Sequence, residues 1–97
     1  MEKMRYVYII RCTVKFEDGS KADAEYIYRV YSSLRKALDC LELYKEIFTT
    51  KFVMAGYDIE RDSSHFVDFH NDGRYSFLNI HDDVKLTTYK ISREILF

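Results

Sequence analysis

From Arg5 to Phe16 the chain reads RYVYIIRCTVKF, and its side chains alternate in character. Tyr6, Tyr8, Ile10, Cys12, Val14 and Phe16 fall on one side. Arg5, Val7, Ile9, Arg11, Thr13 and Lys15 fall on the other, the period-two pattern of a β-strand. Glu17-Asp18-Gly19 is a turn signal, and ADAEYIYRVY over 22–31 predicts a second strand. A three-residue loop with Gly19 left-handed pairs residue 16 with residue 20. That register sets Ile10 against Tyr26, Tyr8 against Tyr28, Tyr6 against Val30 and Cys12 against Ala24, with Arg11 meeting Glu25 and Ile9 meeting Ile27 behind.

Beyond Tyr31 the period changes. Ser32 or Ser33 can cap a helix by accepting from an unpaired first-turn amide. Leu34, Ala37, Leu38, Leu41, Tyr44 and Phe48 then recur at helical spacing, and Cys40 and Ile47 widen the apolar stripe to roughly half the circumference. Leu43 lies outside it, and Thr49-Thr50 marks the expected end. A strand is expected near 56–61 (GYDIER), then a hairpin over 65–83, then a last strand over 86–95. In the hairpin, Asn71-Asp72-Gly73 repeats the x-Asp-Gly form and pairs His70 with Arg74. Val67 and Phe69 then share a face with Tyr75 and Phe77, and His65 lies across from Asn79. The fold class expected is α+β: a single domain over 1–97, an antiparallel sheet of about five strands with one helix on one face, in the order β-β-α-β-β-β.

Composition narrows the function. The 97 residues include nine Tyr and seven Phe, with no Trp and no Pro. Such an aromatic chain folds, and Tyr suits half-exposed sheet faces and interfaces. Fifteen basic and sixteen acidic side chains leave a net charge of −1. No basic stripe emerges, so no nucleic-acid partner is expected. Cys12 and Cys40 are isolated and read as reduced, buried small hydrophobes. The apolar run near the N-terminus is too short for a signal peptide or a membrane span, and the expected compartment is the cytoplasm.

All three histidines and four aspartates crowd into 65–83. A zinc or iron site needs three or four convergent ligands. His65 and His81 could approach one another near the hairpin end with Asp83 close by, but the spacing does not require a metal. No His precedes residue 65 to activate Cys12, and the three glycines form no phosphate loop. The expectation is no catalytic residue, no enzyme, no metal and no cofactor.

One helix covers one side of a sheet. The reverse of the first hairpin then carries Val7, Ile9 and Ile27 as an apolar island, bracketed by Arg5, Arg11, Arg29 and Tyr31. An apolar centre rimmed by Arg and Tyr has the make-up of a protein interface. Val7, Ile9, Arg11, Ile27, Arg29 and Tyr31 are therefore the candidate binding residues, for a protein partner that is foreign or a second copy in a homodimer. The other uses of this chain are a pocket for a small nucleotide-type anion, with Arg5, Arg11 and Arg29 as forks and Tyr31 as a stacking surface, and a metal held by His65 and His81.

At YVYIIRCTVKFEDGS, EYIYRVYSSLRKAL and YDIERD the chain resembles a class of short proteins of bacteria, phages and prophages. In these a Tyr/Val strand leads to a second strand ending in VYSS or VFSS, then a helix, then a strand of Y-x-I type. The resemblance covers residues 5 to 61 and carries no functional residue over. It implies a mobile-element protein that binds, and inhibits, a host or defence component.

Overall fold

The computed structural model describes residues 5–20 and 25–96. Five strands and one helix follow in order: β1 (Arg5–Phe16), β2 (Tyr26–Tyr31), α1 (Leu34–Met54), β3 (His65–His70), β4 (Phe77–Asp82) and β5 (Lys85–Leu96). The sheet is antiparallel in the order β2-β1-β5-β4-β3, and α1 packs on one face. The fold is α+β in the expected order of elements.

The sheet is built around its longest pair. β1 and β5 match residue for residue from Arg5↔Leu96 to Phe16↔Lys85. β2 flanks β1 only from Tyr8 to Cys12, whereas β4 flanks β5 only from Lys85 to Lys90. This stagger draws the molecule out to 55 × 27 × 17 Å. The smallest dimension fits one sheet and one helix, and among the described residues no element lies behind the sheet.

The helix face holds the core. Ile10, Leu41 and Leu78 are fully buried, joined by Ala37, Phe52, Ile80 and Ile91. Tyr28, Tyr44 and Tyr89 close this layer at the β2 side with ring centroids 5.1–5.9 Å apart. Cys12 and Cys40 are free and buried, as expected.

α1 begins as its sequence says. Ser33 is extended, and its hydroxyl accepts from Lys36 N at 3.2 Å. The helix does not stop at Thr49-Thr50. Phe52 is 7% exposed and packs edge-on to Tyr57 and His65, so core burial outweighs the weak propensity of two threonines. It ends at Gly56, whose φ of +93° suits glycine. Gly56 N donates to Val53 O and Tyr57 N donates to Phe52 O, the paired bonds of a Schellman motif. The strand expected over 56–61 is therefore absent. Asp58 organises those residues as a turn, accepting from the amides of Glu60, Arg61 and Asp62.

Both hairpin registers depart from expectation. At the first turn Gly19 has φ +87°, and Phe16 N donates to Ser20 O at 2.8 Å, so 16 pairs with 20 as expected. Ala24, expected against Cys12, lies outside the described residues. By Cys12 the partner is Tyr26, and after a bulge between Ile10 and Arg11 the register moves again, to Ile10↔Arg29 and Tyr8↔Tyr31. In the second hairpin His70 pairs with Phe77 instead of Arg74. Gly73–Tyr75 forms a 3-10 turn, closed by the buried Ser76, whose hydroxyl accepts from Asp72 N and donates to Gly73 O. The shift turns Leu78 and Ile80 onto the helix face with Val67 and Phe69. Burial of that apolar set decides the register.

Candidate interaction surface

The bulge in β2 redistributes the six candidate residues. Tyr28 is the extra residue between Ile27, which opposes Arg11, and Arg29, which opposes Ile10. A bulge reverses the alternation beyond it. Val7, Ile9, Arg11 and Ile27 lie on the open face, as expected. Arg29 and Tyr31 do not. Arg29 turns to the helix side and lies 5.2 Å over the Tyr28 ring, and Tyr31 packs against the core. Val30, opposite Ile9, takes their place on the open face. Even alternation predicts Val30 on the buried side, because it gives no sign of an inserted residue.

Within this surface exposure is uneven. Ile9 is only 6% exposed, whereas Ile27 and Val30 are 57% and 55% exposed. Arg11 accounts for the difference. Its guanidinium leaves the row shared with Lys90 and donates to Ser92 Oγ and Glu94 Oε1, beside Ile9 and Val7, which lays its aliphatic stem along Ile9. Its Nε is 3.5 Å from Glu25 Oε1, the cross-strand ion pair expected from the sequence. Arg11 is thus engaged by two carboxylates, and the apolar surface left uncovered lies on β2, at the edge of the sheet.

The anion fork expected from Arg5, Arg11 and Arg29 is not assembled, since the third arginine is on the opposite face. On the helix side, Arg29, Tyr31, Lys36, Asp39, Cys40 and Tyr44 line an open depression of about 350 Å³. A hydrogen bond with Cys40, followed by burial, pushes the Tyr31 hydroxyl up to about 12. The Tyr28 and Tyr44 hydroxyls bond to each other nearby.

The histidines separate as well. His65 pairs with Asp82 and His81 with Phe66, on opposite faces of the β3–β4 hairpin, so His65 and His81 do not converge. His65 stacks on Tyr57 at 3.7 Å with its nitrogens 3.4 Å from Asp62 and 3.6 Å from Asp82. It fastens the loop after α1 to the hairpin. No cluster of three or more His, Cys, Asp or Glu able to hold a metal occurs among the described residues.

His81 stacks on Phe66 at 3.8 Å on the open face. Burial holds its pKa below the usual imidazole value, with Asp68 pulling weakly the other way. The unfolded chain therefore binds this proton at a higher pH than the folded one, so the contribution to stability is complete above the unfolded value and is lost as pH falls below it. Between about pH 7.5 and about pH 5.5 the melting temperature of the wild type is expected to fall more steeply than that of His81→Tyr, which keeps the stacking without titrating there. Equal slopes would contradict this assignment.

Comparison with family models, with curated proteins and with solved structures finds no match to this chain. Among the described residues no helix is long and apolar enough to cross a membrane.

Proposed function

We propose that the chain is a non-catalytic protein-binding module that acts through the β1–β2 end of its open sheet face. The observation that carries this reading is the pair Ile27 and Val30, each more than half exposed on a sheet face that no other element among the described residues covers. Apolar surface gathered at one place, rimmed by Arg11, Glu25 and Glu94, favours a partner that buries the centre and meets the charges at its border. The resemblance to short phage and prophage proteins makes an inhibitor of a host or defence protein, working in the cytoplasm, the concrete form of this reading.

Its test is capture from a bacterial lysate with wild type and Val7→Asp side by side, followed by titration of the purified captured protein. Saturable binding that Val7→Asp weakens about 10-fold or more supports the reading. Binding that Val7→Asp leaves unchanged overturns it.

A second reading has support in the depression beside Arg29 and Lys36: a small anionic ligand, held from the helix side. Native mass spectrometry of untagged protein would then show bound mass that Arg29→Ala removes, and protein without adduct would count against it.

A further inference from the structure

β2 closes one end of the sheet, and the guards it has are its short length, Arg29 and a bulge. Tyr26–Tyr31 has no Lys and no Pro, and Tyr26, Ile27 and Val30 are 48%, 57% and 55% exposed. The opposite edge differs, since β3 carries Asp68 and two histidines and lies under α1, whose Lys45 sits over the Phe69 ring. A bulge commonly discourages pairing at an edge. Here it has another consequence.

The sequence YIYRVY is close to a palindrome about its centre: Tyr26 mirrors Tyr31, Ile27 mirrors Val30, and Tyr28 mirrors Arg29. In an evenly pleated strand, residues three apart point to opposite faces, so a two-fold axis through the sheet could not set Ile27 beside Val30. The bulge at Tyr28 places both on the open face, and places Tyr26, Tyr28, Arg29 and Tyr31 on the helix face. Folded β2 is thereby symmetric in facing, so a two-fold axis between Tyr28 and Arg29 sets like face beside like face in an isologous contact.

We propose that the protein forms a two-fold dimer by antiparallel pairing of β2 with β2 of a second copy. Ile27 lies opposite the second copy's Val30, and Tyr28 opposite its Arg29. Each arginine already lies over the Tyr28 ring of its own chain and gains a second aromatic face. Both helices stay on one side of a ten-stranded sheet, and the two open-face islands merge across the axis.

The dimer rests on the reading of Ile27 and Val30 as a binding surface, but can fail separately from it. The test is sedimentation velocity on the untagged full chain, wild type beside Ile27→Lys/Val30→Lys and Val7→Asp. The wild type is expected to sediment as a dimer, and the double lysine variant as a monomer with dimer affinity reduced about 100-fold or more. Val7→Asp, off the edge, is expected to stay dimeric. Hydrogen exchange at the β2 amides of the wild type should slow as concentration rises, an outcome that needs no variant to fold. A monomeric wild type, or β2 amides indifferent to concentration, overturns the dimer and leaves the foreign-partner reading to its own capture test. A dimer untouched by all three substitutions overturns the dimer proposed here and counts against the sheet surface as a binding site.

Discussion

Leu41→Ala is expected to remove about 3 kcal/mol of stability, roughly a third of what a domain of this size has. Leu41 is fully buried near the middle of α1, in one cluster with Ile10 and Ile91 from the two longest strands and Leu78 from β4. Truncation loses the transfer energy of its methyl groups and leaves a cavity that a helix laid across four strands cannot collapse into. The melting temperature should fall by about 15 °C, while Leu41→Met should cost under about 1.5 kcal/mol. Urea unfolding checks both. A midpoint for Leu41→Ala near that of the wild type would mean that α1 does not rest on the sheet at this position.

Tyr44→Ala is expected to cost nearly as much, about 2–3 kcal/mol, for a different reason. Tyr44 is only partly buried, yet it joins α1 to β2 and β5 at once. Its ring stacks on Tyr89 at 5.9 Å and meets Tyr28 edge-on at 5.7 Å, and its hydroxyl bonds to that of Tyr28. Removing it takes away aromatic packing and leaves the Tyr28 hydroxyl without that partner. Tyr44→Phe keeps the ring and should cost about 1 kcal/mol, and Tyr28→Phe/Tyr44→Phe should recover part of that loss because neither hydroxyl is then stranded. The double-mutant cycle from chemical unfolding reads the coupling directly, and full additivity would contradict a bond between the two. Because Tyr28 is the bulged residue, this cluster is also what anchors the edge strand to the helix.

Much of this architecture was legible in the sequence. The twelve-residue alternation of β1, the serine cap, the helical spacing from Leu34 to Phe48 and the turn at Gly19 all carry local signals that the fold obeys. Gly56 was also readable, as a glycine following a helical stretch. GYDIER suggests a strand, yet alternation over so few residues satisfies either period. What failed was register. In both hairpins local turn chemistry suggested one pairing and burial chose another: Leu78 and Ile80 reach the core only if Ser76 folds the second turn inward, and Tyr31 reaches the helix face only through the bulge after Ile27. No local pattern encodes either, since both are settled by residues distant in the chain.

The same bulge decided the site. Val7, Ile9, Arg11 and Ile27 were placed on the correct face because they precede the inserted residue or pair ahead of it. Arg29, Val30 and Tyr31 follow it, and all three lie on the face opposite to the one even alternation predicts. The strand order β2-β1-β5-β4-β3 then made β2 an edge, which pairing preferences within the first hairpin could not reveal. Of the apolar island expected at Val7, Ile9 and Ile27, Ile9 lies buried, and the exposed apolar side chains of this end of the face are Ile27 and Val30.

The measurement that bears most directly on this surface compares Ile27→Asp with His70→Asp, at the far end of the same sheet face, for affinity to the captured partner, with melting curves recorded alongside. Ile27 is exposed, so its replacement should change stability by no more than about 0.5 kcal/mol. If the β1–β2 end of the open face is the binding surface, Ile27→Asp lowers affinity about 100-fold or more, through lost burial and a stranded charge, and His70→Asp binds as wild type does. Wild-type affinity in a folded Ile27→Asp protein would contradict the assignment of that surface.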